Sequence, residues 1–168
     1  EKIIDILIRA RDNEKKIYVM GNGGSASTAS HFISDLLKTA ITKNEKRFFA
    51  ISLTDNIPVM LAWSNDSSYD DIFVEQLKNS LSKDDVIIGF SGSGKSKNVI
   101  KAMEYGKENG AICIGITGMS GGDFPKICDT NFIVPSNDML AIEAVHVILF
   151  HCIVYAIRNN GIPLFTYE

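Results

Sequence analysis

The stretch from Lys16 to Ser25, KIYVMGNGGS, decides the fold, because an apolar run passes directly into a glycine-rich loop. A second stretch, Asp85–Ser96 or DVIIGFSGSGKS, repeats this arrangement further along the chain. Strands that are covered on both faces of a parallel sheet are continuously apolar rather than alternating. Each loop leads into a segment with helical spacing, so both stretches are typical of strand–loop–helix units.

The rest of the chain extends this alternation of strands and helices. Doubly wound sheets arise from such alternation, and neither a repeat nor a linker interrupts it. We therefore expect one α/β domain over residues 1–168, built on a doubly wound five-stranded parallel sheet. The predicted strands are Lys16–Met20, Arg47–Leu53, Asp85–Phe90, Ala111–Thr117 and Asn131–Val134, and the predicted helices cover residues 2–12, 25–40, 71–80, 96–109 and 139–158.

Composition excludes several classes of protein. The 168 residues are 45% hydrophobic and carry a net charge of −3, whereas a general nucleic-acid binder usually has a basic face. Three cysteines, an odd number without CxxC spacing, indicate a reducing compartment, and hence the cytoplasm. We expect no nucleic-acid partner, no membrane span and no signal peptide. Because the sequence starts at Glu1 without a methionine, an N-terminal segment is expected to be missing.

The last predicted helix, residues 139–158, is apolar along most of its surface. A helix at the surface of a single chain normally shows one apolar stripe. This pattern favours burial against another subunit, with a central core helix as the alternative.

Three loops after strands are rich in glycine and serine: Gly21–Ser25, Ser91–Ser96 and Thr117–Gly122. Glycine permits close backbone approach, and N–H groups at helix N-termini attract anions. In doubly wound sheets, ligands collect at the carboxyl ends of the strands. The first two loops lead straight into helices and together favour a phosphate site. The alternative is tight turns with helix caps at Ser25 and Ser96.

Residues 89–96, GFSGSGKS, also match the P-loop pattern G-x-x-x-x-G-K-S. In that interpretation Lys95 would reach nucleotide phosphates and Ser96 would hold magnesium. However, the motif follows the third strand rather than an early one, and the next strand ends in GITG without an aspartate. The loop GNGGS would also remain unexplained. The pattern therefore disfavours a P-loop nucleotidase.

Ionisable residues recur on two of the predicted helices. His31 and Asp35 are four residues apart and share a helix face, while Glu143 and His151 are about 80° apart around the last helix. Imidazole and carboxylate groups suit zinc or a related divalent metal, and they also suit acid–base catalysis. Simple structural pairing explains the spacing equally well. His146 is about 140° from His151, so it is interpreted as structural or interfacial.

These residues together resemble the sugar isomerase (SIS) domains, most closely the phosphoheptose isomerases. The resemblance rests on GNGGSASTASHFISDL, the Asn65–Asp66 pair before DDIF, SGSGKSKNVIKAMEYGKENG and the pattern from Glu143 to His151, over about Ile3 to Ile157. It implies a flavodoxin-like sheet and interconversion of sedoheptulose 7-phosphate and D-glycero-D-manno-heptose 7-phosphate through an enediol. It also implies a homotetramer with sites at subunit interfaces, zinc, no nucleotide cofactor and one further N-terminal helix.

Residue roles follow from the same resemblance. The catalytic pair is Asp35 and His151, and the metal ligands are His31, Asp35, Glu143 and His151. The residues implied to bind the phosphorylated sugar are Asn22, Gly23, Gly24, Ser25, Asn65, Asp66, Ser91, Gly92, Ser93, Ser96 and Glu143, with the phosphate on Ser91, Ser93 and Ser96.

The chain departs from the family pattern at four positions. Asp35 replaces a glutamate, Glu143 a glutamine, Leu140 an aspartate and Gly92 a threonine that is frequent there. The first two changes keep oxygen ligands for a metal, while the shorter Asp35 alters the position of the base. Related SIS domains that bind phosphosugars without catalysis usually lack the acidic and histidine cluster, so a non-catalytic binding module is the alternative function.

Overall fold

The computed structural model describes residues 1–165, so the last three residues of the predicted domain lie outside the described part. Five strands form one all-parallel sheet in the order β2-β1-β3-β4-β5. The predicted doubly wound five-stranded α/β fold is confirmed. The strands are β1 Lys16–Met20, β2 Phe49–Ser52, β3 Val86–Ser91, β4 Ile112–Gly118 and β5 Thr130–Val134.

Every strand except β2 lies within one residue of its predicted bounds. The five predicted helices also form, although two of them are divided. The helices are α1 Lys2–Asp12, α2 Gly24–Ser34 with a π-helical turn at Asp35–Thr39, α3 Ile57–Asp66 with a 3₁₀ turn at Tyr69–Asp71, α4 Val74–Lys78, α5 Lys97–Glu108, α6 Phe124–Ile127 and α7 Met139–Asn159. Helices α3 and α6 were not predicted.

Side chains that alternate along each strand build two cores, one on each face of the sheet. On β1, Ile17 and Val19 pack with α1, α2 and α7, whereas Tyr18 and Met20 pack with α4, α5 and α6. Because both faces are covered, the strands consist almost wholly of apolar residues. Loop tips at the carboxyl ends of the strands remain free to form a site.

Helix α7 has two faces of different character. Ile142, Phe150 and Ile153 are buried in the core, while Leu140 and Tyr155 are 78% and 69% exposed. With 21 mostly apolar residues, α7 is by length and composition alone suited to cross a membrane, contrary to the expected absence of such a run. The core helix of a globular domain gives the same signal, and one face of α7 packs as such a helix.

Candidate active site

The loops after β1 and β3 meet at the carboxyl edge of the sheet and line one cavity of about 300 Å³. These two strands are neighbours in the sheet, and the chain winds outward from them in opposite directions. Ligands of doubly wound proteins bind at such a switch point. We call this space the glycine–serine cavity. Its lining consists of Asn22, Gly23, Gly24, Ser25, Phe90, Ser91, Gly92, Ser93, Ser96, Met139 and Glu143.

The serine hydroxyls are held inside the cavity rather than used as helix caps. Ser91 Oγ lies 3.0 Å from Ser96 Oγ and accepts the N–H of Gly94 at 3.1 Å. Ser25 is buried within α2, and Ser96 precedes α5 without a side-chain capping hydrogen bond. The predicted cap is therefore wrong for Ser25, whereas Ser96 does occupy the N-cap position of α5, although its hydroxyl does not cap the helix. The Ser96 hydroxyl bonds to that of Ser91 in the cavity instead.

The third glycine-rich loop, residues 117–122, supports the loop after β3. The N–H groups of Gly118 and Asp123 donate to the carbonyl oxygens of Gly92 and Gly94, each at 3.0 Å. These bonds engage carbonyl oxygens that would otherwise repel an anion. A Cβ on Gly94 would lie 2.1 Å from a backbone oxygen of the third loop, so close backbone contact requires glycine here.

Glu143 on α7 closes one side of the glycine–serine cavity. A Cβ added to Gly24 would lie 2.5 Å from its carboxylate oxygen Oε2, so the glycine makes room for this carboxylate. The Sδ of Met139 similarly occupies the space above Gly92, at 2.3 Å from the position of a Cβ there. Glycine at these two positions lets side chains of α7 approach both loops.

Three ionisable side chains form a second feature, the histidine–aspartate cluster of His31, Asp35 and His151. One potential metal-ligand atom from each lies within 4.8 Å of those from the other two. The Oδ2 of Asp35 is 3.9 Å from His31 Nε2 and 3.7 Å from His151 Nε2. Glu143 is not in this group, although it lines a neighbouring cavity together with His31.

A π-helical turn positions Asp35 within the cluster. The N–H of Ala40 donates to the carbonyl oxygen of Asp35 at 2.8 Å, five residues back, where α2 gives way to the turn. Thr39 donates its hydroxyl to Asp35 Oδ1 at 2.8 Å, which leaves Oδ2 facing the two imidazoles. Phe150 packs against both imidazole rings, at 4.9 and 4.2 Å between ring centres. Such turns are frequent at functional sites.

His146 lies apart from the cluster, and its structural interpretation is confirmed. It is 1% exposed, and its Nε2 lies 3.1 Å from the carbonyl oxygen of Thr117. Burial lowers the pKa of His146, with partial opposition from the Thr117 carbonyl and the charge of Glu143. Because a carbonyl oxygen only accepts, Nε2 carries the proton in the neutral ring.

Sequence reasoning missed two residues and expected two others in the pocket. Asn65 and Asp66 are exposed at the end of α3, and they are not among the residues that line the glycine–serine cavity. Instead, Tyr69 donates its hydroxyl to Asn22 Oδ1 at 2.9 Å, and the buried Asn98 pairs with the same amide. Asn98 is the last residue of the motif SGSGKSKN, so the sequence did contain a signal that could have placed this asparagine near the site.

Comparison with known proteins agrees with this arrangement. The SIS domain family matches residues 1–118. The phosphoheptose isomerase of Aliarcobacter butzleri is 40% identical over 161 residues, which cover 95% of this chain and 84% of that protein. Solved phosphoheptose isomerases from Neisseria gonorrhoeae and Francisella tularensis superpose with TM-scores of 0.85 and 0.88, at 30% and 28% identity. Each alignment covers 94% of this chain and 84% of the solved one.

These comparisons confirm the resemblance deduced from the sequence. They favour neither a P-loop nucleotidase nor a non-catalytic module. The roles of individual residues at the cavity and the cluster remain predictions.

Proposed function

The chain belongs to the SIS domain family and, within it, to the phosphoheptose isomerases, and on this basis we propose that it interconverts sedoheptulose 7-phosphate and D-glycero-D-manno-heptose 7-phosphate. The chain is an aldose–ketose isomerase by its relatives. The observation that carries the proposal is a hydroxyl-lined cavity near an imidazole–carboxylate cluster, with helix α7 contributing a side chain to each of them.

The phosphate of the sugar is assigned to the loop after β3. Hydroxyls of Ser91, Ser93 and Ser96 supply donors, and the start of α5 adds N–H groups and the positive end of the helix dipole. The loop after β1, with Asn22 and the neighbouring glycines, then faces the sugar chain. With the phosphate at the serine hydroxyls, the carbon atoms that react would lie toward the histidine–aspartate cluster.

The proton transfers are assigned to Asp35 and His151. The proton on the carbon next to the carbonyl moves to the Asp35 carboxylate, the C–H electron pair becomes the double bond of an enediol, and the carbonyl oxygen takes a proton from His151. In the second half, the adjacent hydroxyl gives its proton to the now neutral His151 as the new carbonyl forms, and Asp35 returns its proton to the former carbonyl carbon. Positioned acid–base groups contribute about 10²–10⁴-fold to rates.

The donor set of the cluster fits a zinc ion, since two imidazoles and a carboxylate are ligands that zinc prefers. His31, Asp35 and His151 would hold it, with Glu143 as a fourth ligand only after its side chain moves. When bound, zinc acts as a Lewis acid that polarises a carbonyl group. Calorimetry with zinc alone tests the assignment: His31→Ala should abolish binding, and Glu143→Ala, which removes the side-chain oxygens, should retain it. Equal loss in both variants would instead support four ligands.

Exposed apolar helices support a homotetramer with its sites at subunit interfaces. No residue of α3 is buried, although Ile57, Leu61 and Trp63 are on this helix. The outer face of α7 is similarly apolar, and large exposed patches mark interfaces. Light scattering after size exclusion should give four times the chain mass, and Leu61→Glu should lower it. We also place the protein in the cytoplasm, in keeping with its three free cysteines.

Proton NMR of sedoheptulose 7-phosphate in D₂O tests the reaction directly. We expect aldose signals, with deuterium incorporated beside the carbonyl, from the zinc-loaded protein. His151→Ala should abolish both signals. Binding of the phosphosugar without turnover by the unaltered protein would contradict the isomerase and support the non-catalytic alternative.

A further inference from the structure

We propose that Asn98 and Tyr69 are positioning residues that lock the side-chain amide of Asn22, so that it presents an N–H donor to a carbonyl or hydroxyl oxygen of the sugar. The proposal rests on the function assigned above, and it adds two residues outside the predicted site. It follows from a chain of hydrogen bonds whose directions can be assigned one after another.

A backbone N–H group fixes the orientation of the Asn98 side-chain amide. The N–H of Val99 donates to Asn98 Oδ1 at 2.9 Å, and a backbone N–H can only donate. The oxygen of the Asn98 amide therefore lies on that side, which settles the assignment of O and N that is otherwise ambiguous for asparagine. Asn98 is 2% exposed, so water does not compete for these bonds.

The Asn98 amide then fixes the orientation of the Asn22 side-chain amide. Asn98 Nδ2 donates to Asn22 Oδ1, and Asn22 Nδ2 donates back to Asn98 Oδ1, each at 2.9 Å. Tyr69 supplies another donor to Asn22 Oδ1 at 2.9 Å. Since an amide oxygen has two lone pairs, both acceptor positions of Asn22 are now used.

One group on Asn22 is left for a ligand. Its Nδ2 has two hydrogens, and Asn98 takes one of them. Asn22 lines the glycine–serine cavity, so the second N–H is available to an oxygen acceptor there. A donor at this place binds the oxygen of a carbonyl or an enediol more strongly as negative charge develops on it. A flipped amide would offer an oxygen and repel the same atom.

Substitution of Asn98 by aspartate tests the lock with little change of shape. The introduced carboxylate would keep acceptors for Val99 and Asn22 but would place one of its oxygens against Asn22 Oδ1. We expect Asn98→Asp to lower kcat/KM about 10- to 100-fold, the range for a lost hydrogen bond to a charged group. Tyr69→Phe should lower it less. Asn109→Asp, at the other end of α5, is the matched control and should leave kcat/KM unchanged.

A double-mutant cycle separates positioning from simple structural support. In an Asn22→Ala background the lock has nothing to orient, so Asn98→Asp should have no further effect on kcat/KM. An equal effect in both backgrounds, or a fall in melting temperature that accounts for the lost rate, would overturn the proposal. Inhibition by inorganic phosphate should stay the same in Asn98→Asp, because the serine loop is intact.

The lock can also be followed without turnover. In ¹H–¹⁵N spectra of the free protein, the Asn22 side-chain amide signals should shift in Asn98→Asp and in Tyr69→Phe. If these signals stay in place, the lock is absent, whatever the protein catalyses. If the signals shift while no ketose phosphate reacts in the NMR assay, the lock exists but the isomerase assignment fails. In that case the affinity for the phosphosugar tests the donor role of Asn22: a lower affinity in Asn98→Asp supports it, and an unchanged affinity contradicts it.

Discussion

The glycine–serine cavity is formed largely by loops at the ends of two adjacent strands, whereas the histidine–aspartate cluster is formed by side chains on two helices. Ser91 is 3% exposed, while the side chains of His31 and His151 are 53% and 48% exposed. Loops that directly follow neighbouring strands are brought together when those strands pair in the sheet. A cluster on helix faces also depends on how the helices pack, and its open side is available to substrate or another subunit.

The largest expected effect separates chemistry at the cluster from binding at the cavity. Asp35→Asn should lower kcat by about 10²–10⁴-fold, as expected for loss of a general base, and should leave phosphosugar affinity nearly unchanged. Steady-state kinetics and calorimetry measure the two quantities. Asp5→Asn, which changes an exposed carboxylate on α1, is the control. A parallel loss of affinity and kcat would show that the two regions are not separate.

Substitutions at the cavity should instead weaken substrate binding and leave kcat nearly unchanged. Ser96→Ala removes a hydroxyl whose partner is Ser91, and should raise KM about 10- to 100-fold, as for a hydrogen bond to a charged phosphate. The value of kcat should change far less, since the cluster is intact. Ser80→Ala, which removes a serine bound to the hydroxyl of Tyr18 instead, serves as control. A fall in kcat with constant KM would place Ser96 in the chemistry.

The smallest effect concerns the contact between the cavity and α7. Gly24→Ala places a Cβ where the Glu143 carboxylate now lies, so that side chain must move. We expect kcat/KM to fall about 10-fold, less than the ~100-fold that a 1 Å displacement of a reacting group can cost. The shorter side chain in Gly24→Ala/Glu143→Asp should restore part of the rate. If Gly24→Ala is as active as the unaltered protein, the position of Glu143 is unimportant.

The cavity could be predicted from the sequence because its signals are local. The apolar runs of β1 and β3 and the glycines that follow them are adjacent in the chain, and parallel sheets bring the ends of such strands together. The shared face of His31 and Asp35 follows similarly from helical spacing. The position of His151 beside Asp35 came from family resemblance, since no local rule relates two helices so far apart in sequence.

The features that could not be predicted from the sequence depend on packing between distant segments of the chain. Helix α3 was missed because IPVMLAWSND shows no apolar stripe, and none of its residues is buried in the single chain. Tyr69 reaches Asn22 only because the segment after α3 folds back beside the loop after β1. The sequence prediction at Asn65 and Asp66 was only a few residues away from Tyr69, which makes the contact with Asn22 in the loop after β1.

Helix α7 contributes Glu143 to the cavity and His151 to the cluster, eight residues or about 12 Å apart along its axis. A continuous helix does not change in length, so α7 holds Glu143 and His151 at a fixed separation along its axis, as a loop would not. Any tilt of α7 must therefore alter both regions at once. Under the residue roles proposed above, this fixed spacing would limit how many carbon atoms a substrate can have between its phosphate and its carbonyl.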